Sequence, residues 1–165
     1  MAAIYPFIYP QMANTISVIN QIPGQPVATF MKALEVKAGG SGASILPGYL
    51  VIADGSNPGY VKAAPDATDT DSVIVGVASS TSTETASVDG TVLVEAAPVL
   101  FVSLKAKTPA NLVATMRYTN KYILDVTSGN YTLDQGTTTK GLFRLINFDN
   151  TTDGNCLASI DCTLW

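Results

Sequence analysis

ILPGYLVIADG at residues 45–55 opens the stretch that decides the fold, and VIVGVA at 73–78, DGTVLV at 89–94 and PVLFV at 98–102 complete it. Each run is short and rich in β-branched residues, and Gly, Pro, Asp, Ser or Thr separates it from the next. Short apolar runs between such turn residues predict a small antiparallel β-domain. No set of reactive side chains is embedded in the stretch.

The sequence from 105 to 165 predicts a second β-module. Tyr122, Leu124 and Val126 alternate with more polar neighbours, which places them on one face of a strand. The final strand is expected over residues 156–165. Its alternation separates Leu157, Ser159, Asp161 and Thr163 from Cys156, Ala158, Ile160, Cys162 and Leu164. Such a pattern is typical of a strand with one buried and one wet face.

Residues 1–42 are predicted to form an extended arm that ends in a flexible joint, Gly39-Gly40-Ser41-Gly42. Tyr5-Pro6 and Tyr9-Pro10 favour an extended path, because a residue before proline avoids the helical region. Within this stretch, residues 27–36 alternate weakly and are compatible with a strand or a short helix. The candidate contact residues are the apolar ones: Ile4, Tyr5, Phe7, Ile8, Tyr9, Ile16, Val18 and Phe30. They could dock on their own domain, on a neighbouring copy or on another protein.

Composition argues against several classes of function. The net charge is -4, so we expect no nucleic-acid partner, because phosphate binding needs clustered Lys and Arg. Charged residues make up 13% of the chain, against about 25% in an average domain. A surface this poor in charge must be made polar by Ser and Thr hydroxyl groups, or part of it must be buried in an assembly. The chain has no His, which removes the commonest general base and metal ligand. We therefore expect no enzyme, no cofactor and no small-molecule substrate.

The two cysteines, Cys156 and Cys162, are predicted to be core residues. In one extended strand their Cα atoms would lie about 20 Å apart, whereas a disulfide needs about 4.4–6.8 Å. Their spacing also matches no zinc or redox motif. Free thiols indicate assembly in a reducing cytoplasm.

No secretory signal or membrane span is predicted. The first ten residues lack a basic region, and two prolines interrupt their apolar part. No apolar run approaches the roughly 18 residues that a membrane span needs.

The order of these features resembles the capsid decoration, or cement, proteins of tailed bacteriophages. The resemblance is carried by Gly48, by Lys62-Ala63-Ala64, by an acidic loop leading into Gly76-Val77-Ala78, and by Asp89-Gly90 before a strand. Tyr122–Val126 and the strand after Gly154 resemble the small second β-module of some of these proteins. The family resemblance implies a protein that binds the outer surface of an assembled head, often as a trimer, and clamps neighbouring capsomers. It also implies an N-terminal arm that contributes contacts.

We therefore expect an all-β chain. It would have an extended arm and Gly-rich joint over 1–42, a small antiparallel β-sandwich or β-tulip-like domain over 43–104, and a β-barrel-like module over 105–165. The expected partners are the major capsid protein and further copies of the chain in a homotrimer, on the exterior of a virion.

Three other interpretations remain open from the sequence. Asp66, Asp69 and Asp71, or the loop at 149–155, could bind calcium, although Asp and Asn are also ordinary turn residues. Hydrolysis would need paired carboxylates such as Glu95 and Asp125. The strongest rival is a glycan- or receptor-binding module of a tail or adhesin. Its candidate stacking residues are Tyr49, Tyr60, Tyr118, Tyr122, Tyr131 and Trp165.

Overall fold

The computed structural model describes residues 15–19, 21–22, 25–26, 28–39, 44–69, 71–149 and 154–163, the short pieces 21–22 and 25–26 by their backbone only. Two 3₁₀ turns, Pro109–Asn111 and Ala114–Met116, are the only helical elements of these residues. The strands are β1 (Ser17–Val18), β2 (Gln21–Ile22), β3 (Gln25–Pro26), β4 (Phe30–Val36), β5 (Leu50–Ala53), β6 (Val61–Ala63), β7 (Ile74–Ala78), β8 (Gly90–Ala96), β9 (Val99–Ala106), β10 (Lys121–Thr127), β11 (Asn130–Asp134), β12 (Phe143–Phe148) and β13 (Asn155–Asp161). The expected all-β class is confirmed.

The first module is a closed five-stranded barrel in the order β4-β6-β5-β7-β8. Four of its contacts are antiparallel, and β4 pairs with β8 along seven residues. The ring closes through a parallel contact between β4 and β6, at Val36 and Val61. The expected antiparallel module therefore takes the form of a barrel, which leaves few strand edges open.

The second module is also a closed barrel, in the order β9-β11-β10-β12-β13, with β13 returning to β9. The contact between β9 and β11 is parallel, and the other four are antiparallel. Strand β1 adds to β9 outside this ring, with Ser17 opposite Ser103 and Val18 opposite Val102. Strands β2 and β3 pair only with each other among the described residues.

Two hydrophobic clusters explain why β5 and β7 are buried along almost their whole length. Val51 and Val75 point into the first barrel, whose core is lined mainly by valines. Leu50, Ile52 and Ile74 point the other way, into a larger cluster that contains the core of the second barrel. Since consecutive strand residues face opposite sides, these two strands serve both cores. The barrels therefore share a buried apolar interface.

Several sequence predictions are confirmed at the level of strands. The four apolar runs at 45–55, 73–78, 89–94 and 98–102 contain β5, β7, most of β8 and the first part of β9. In β13 and just after it, Cys156, Ala158, Ile160 and Cys162 are all buried. Both thiols are free.

Strand membership differs from the expected segments at two places. Residues 30–36, assigned to the arm, form β4 and pair with β8 along its length. Strand β9 was expected in the first domain but belongs to the second barrel, so the two barrels meet between Ala96 and Val99 and not at residue 104. The first module therefore begins at Phe30 and not after position 42, because β4 is hydrogen-bonded to β8. The local sequence of β4 does not indicate this pairing.

Candidate contact surface

The predicted contact residues of the arm fall into two groups. Ile4, Tyr5, Phe7, Ile8 and Tyr9 lie outside the described residues. Ile16, Val18 and Phe30 are described: the first two lie in one segment and pack on the same cluster, whereas Phe30 lies in β4.

Ile16 and Val18 belong to a segment that is anchored on its own chain. The Ile16 side chain is 2% exposed and lies in the large cluster, against which Val18 also packs. The Ile16 N–H donates to the Gly48 carbonyl at 2.9 Å, and the Ile19 N–H donates to the Phe101 carbonyl at 2.8 Å. Because Gly48 precedes β5 and Phe101 lies in β9, residues 15–19 bridge the two barrels. Ile16 and Val18 therefore dock on their own chain, as one of the sequence alternatives expected.

Gly48 makes this anchoring possible. Its φ is +84°, in the left-handed region, and a Cβ built there would come within 2.5 Å of the Thr15 Cβ. A side chain at this position would be strained and would also push the anchored segment away. The glycine that marked the start of the first strand in the sequence is therefore part of the docking site for residues 15–16.

Strands β4 and β8 carry exposed apolar side chains on the first barrel. The side chains of Phe30, Met31 and Leu93 are 39%, 53% and 44% exposed, and Ala33, opposite Leu93, is also exposed. Met31, Ala33 and Leu93 share the outer face of the sheet, and we call these three residues the β4–β8 patch, whereas Phe30 lies on the other face of β4. Sequence reasoning identified Phe30 but missed Met31, Ala33 and Leu93. The alternation of β8, in which Val92 and Val94 are buried and Leu93 is not, is the signal that could have found Leu93.

A second pair of exposed apolar residues lies in the connection between β9 and β10. Val113 precedes the second 3₁₀ turn and Tyr118 follows it, and both are at least half exposed. Tyr118 has a φ of +64°, and its N–H donates to the Leu145 carbonyl at 2.9 Å. This hydrogen bond fixes the backbone at a residue whose ring points outward.

Asp89 is the centre of a polar cluster at one rim of the first barrel. Its carboxylate accepts hydrogen bonds from the Ala38 N–H at 2.8 Å, the Tyr60 hydroxyl at 2.7 Å and Lys37 at 3.2 Å. The backbone bond from Ala38 and then the side-chain bonds lower the pKa of Asp89 to about 2. Hydrogen bonding to Asp89 also raises the pKa of Tyr60 and of Lys37. Every hydrogen bond to Asp89 named here comes from a protein group. The cluster therefore joins three strand connections of the first barrel: the one after β4, the one after β5 and the one before β8.

Lys107 plays a similar part on the second barrel. Its ammonium lies 2.6 Å from Asp125 and 3.6 Å from Asp134. Burial raises the pKa of Asp125, but hydrogen bonds from Lys107, Thr132 and Thr127 outweigh this and leave the pKa lowered. The Lys107 ammonium therefore pairs with both carboxylates of this cluster.

The acidic loop that could have bound calcium joins the two barrels instead. The Asp66 carboxylate accepts the Val126 N–H at 2.8 Å, and the Ala67 N–H donates to the Leu124 carbonyl at 3.1 Å. Asp71 pairs with Lys140 of the second barrel. The carboxylates of the loop thus serve separate partners, and the loop covers part of β10. Within the described ranges no group of three acidic, Cys or His residues could hold a metal ion.

The residues proposed for hydrolysis are not brought together. Glu95 lies on the first barrel and accepts a hydrogen bond from the Thr29 hydroxyl at 2.6 Å, whereas Asp125 lies on the second barrel with Lys107. The two carboxylates therefore have separate environments and no common cleft.

Most of the aromatic candidates for sugar stacking have structural roles. Tyr122 and Tyr131 are buried, and the Tyr131 ring lies 4.6 Å from that of Tyr49. The Tyr131 hydroxyl also donates to the Ala64 carbonyl at 3.2 Å, across the interface between the barrels. Of the described tyrosines in the set, Tyr118 alone is mostly exposed, and Trp165 lies outside the described residues.

No family model matches the chain, and no curated protein or solved structure is significantly similar to it. Among the residues that the structure covers, no helix is long and apolar enough to cross a membrane.

Proposed function

We propose that the protein is a structural component of a virion that binds the outer surface of a tailed-phage head and clamps neighbouring capsomers. Its partners in this proposal are the major capsid protein and two further copies of the chain in a trimer. It works by contact and not by catalysis. Many such contacts on a symmetric shell act together through avidity, and they stabilise the assembled lattice because they are absent from its separated parts.

The observation that carries the proposal is the anchoring of residues 15–19 across both barrels. This anchor joins the apolar sequence of residues 1–14 to a rigid support, because Ile16 is held by the buried cluster and by Gly48. A clamp needs such a support, since force on an arm must be transmitted to a folded body. The resemblance of the sequence to decoration proteins supports the same function.

The surface chemistry also supports a contact protein. The β4–β8 patch presents apolar side chains on a rigid sheet, close to the start of the first barrel. The polar clusters at Asp89 and Lys107 are satisfied by protein groups. Exposed apolar surface of this kind commonly marks an interaction site.

The test is binding of the purified chain to expanded and unexpanded heads of the phage that encodes it. We expect the full chain to co-sediment with expanded heads, and light scattering to show an oligomer of three 17.2 kDa chains. Deletion of residues 1–14 is the informative truncation, because a longer deletion would also remove the buried Ile16 and damage the fold.

The truncated chain is expected to keep its melting temperature and lose head binding. The surface control is Val113→Ser in the full chain, which changes an exposed residue in the connection between β9 and β10 of the second barrel. Equal binding by the truncated and full chains would refute the role of the arm. If the full chain does not bind expanded heads but binds tails or glycans, the proposed function itself is refuted.

A further inference from the structure

The two barrels have the same strand order. If the strands of each barrel are numbered in chain order, both rings run first, third, second, fourth, fifth and back to first. In both, the contact of the first strand with the third is parallel, and the other four contacts are antiparallel. This order is not the simplest one, because consecutive strands usually lie side by side and here the first and second do not.

The two rings also agree in register. Placing Val36 of β4 on Ala106 of β9 fixes every other strand through its paired residues. The equivalent pairs obtained round the ring are Val36 with Ala106, Val61 with Leu133, Ala53 with Leu124, Gly76 with Phe143 and Val94 with Ala158. The last step, from β8 back to β4, places Lys32 on Val102.

That last step is an independent check. Val36 and Ala106 are 70 positions apart, and so are Lys32 and Val102, so the ring closes without adjustment. A barrel is defined by its number of strands and by the stagger accumulated round the ring. The two barrels have the same value of both.

A third similarity lies in the connection from the first to the second strand. Because these strands are separated by the third, the connection must cross the end of the barrel. Among its described residues, each connection has a buried branched apolar side chain that belongs to a core cluster, Ile45 in the first barrel and Leu112 in the second. Ile45 is held there by hydrogen bonds in both directions with Ser82.

The volumes of equivalent core residues explain why the repeat is not visible in the sequence. Gly76 corresponds to Phe143, and Val61 corresponds to Leu133. A Cβ on Gly76 would meet the Glu95 carbonyl oxygen at 2.3 Å, so the first barrel has no room for a side chain there. At other positions the difference is reversed, since Val36 and Val94 correspond to the smaller Ala106 and Ala158. The two barrels thus fill one arrangement with different combinations of large and small side chains.

We infer that the chain is an internal structural repeat, in which residues 30–96 and 99–161 form the same five-stranded barrel twice, in the same register. This inference does not depend on the proposed function. It assigns equivalent positions to the paired strand residues on one side of the register shifts, which lie at Val51/Ile52 in the first barrel and at Leu145/Asn147 in the second.

The test uses paired cysteines at the parallel contact, which is the diagnostic feature of both rings. The variants are Val36→Cys with Val61→Cys, and Ala106→Cys with Leu133→Cys, each in the full chain with Cys156 and Cys162 changed to Ala. Directly opposed residues on neighbouring strands lie within disulfide range. After mild oxidation, peptide mapping is expected to show a disulfide for both pairs.

Controls displaced by two residues test the register. They are Val36→Cys with Ala63→Cys, and Ala106→Cys with Gln135→Cys, which are equivalent to each other in the two barrels. We expect little or no cross-link from either control. Where an inward pair prevents folding, the outward pairs Glu35 with Tyr60 and Lys105 with Thr132 replace it.

A folded protein in which either in-register pair stays reduced, or in which a displaced control cross-links better, would overturn the repeat. The thermal stability of variants at Ile45 and Leu112, the buried residues of the two connections, gives a second readout. Ile45→Ala and Leu112→Ala are both expected to lower the melting temperature by roughly 4–12 °C. A neutral effect of one of them would show that the two connections are not equivalent.

Discussion

Replacing Leu50 by Ala tests whether the two barrels form one cooperative unit. Leu50 lies in β5 of the first barrel, is fully buried, and contributes to the cluster that holds the core of the second barrel. The change removes apolar groups worth about 2 kcal/mol of transfer free energy and leaves a cavity at the interface. We expect the free energy of unfolding to fall by about 3 kcal/mol. For a chain of this size the melting temperature should then fall by about 6–12 °C.

The assay is urea unfolding combined with hydrogen exchange resolved to peptides. If the interface couples the barrels, a single transition is expected, and amides of β10 and β12 in the second barrel should lose protection together with those of β5. Leu93→Ala is the matched control, because Leu93 is in the same barrel but on its exposed face. It should change stability by less than about 1 kcal/mol.

Two separate transitions would refute this reasoning. So would normal protection of the second barrel in the Leu50→Ala protein while the first barrel exchanges freely. Either outcome would show that the shared cluster is a contact between independent domains and not a common core.

Three further predictions concern single sites. The folded pKa of Asp89 is about 2, below its ordinary value of 3.8, so its stabilising contribution is present above about pH 4 and is lost as the pH falls towards 2. Across that pH window the melting temperature should therefore change less for Asp89→Asn than for the natural chain. Identical profiles of melting temperature against pH would contradict this. Burial raises the pKa of Cys156 to about 12 and that of Cys162 to about 11, so a thiol reagent at pH 8 should label both only when the protein unfolds; labelling of either at the rate of a free thiol in native conditions would be inconsistent with a buried site. Gly76→Ala should destabilise by about 1–3 kcal/mol or more in chemical denaturation, because its Cβ would collide with backbone, whereas Gly55→Ala, which has open space around it, should be nearly neutral. Equal stability of these two variants would mean that β7 and β8 approach less closely.

Strands β5, β7 and β8 of the first module could be predicted because local chemistry marks their ends. Pro47-Gly48 precedes β5, and Asp89-Gly90 lies at the start of β8, so turn residues and β-branched runs agree with each other. The same agreement predicted the buried face of β13, including Cys156 and Cys162. These features depend on residues that are close in sequence.

Strand β4 could be predicted only as an alternative to a short helix, because its local preference favours a helix. Its central residues, Met31 to Glu35, include Met, Lys, Ala, Leu and Glu, all good helix formers. Seven pairings with β8, some 60 residues away in sequence, override this preference. The closure of the ring is harder still to predict, because Val36 opposite Val61 is the single residue pair of the parallel contact between β4 and β6. Nothing in either residue type indicates that contact.

The acidic loop shows why a candidate site could not be judged from spacing alone. Asp66, Asp69 and Asp71 have a spacing that suits a cation, but what a carboxylate binds depends on which groups the fold brings near it. Here β10 needs a hydrogen-bond acceptor for the Val126 N–H at the side that faces the first barrel, and Asp66 supplies it. Asp71 finds Lys140, which comes from the same barrel as Val126. The loop therefore adds a hydrogen bond and an ion pair between the barrels to the buried cluster that they share. A rigid pair of barrels is what the proposed function needs, because an anchored segment can hold a shell together only if its support does not bend.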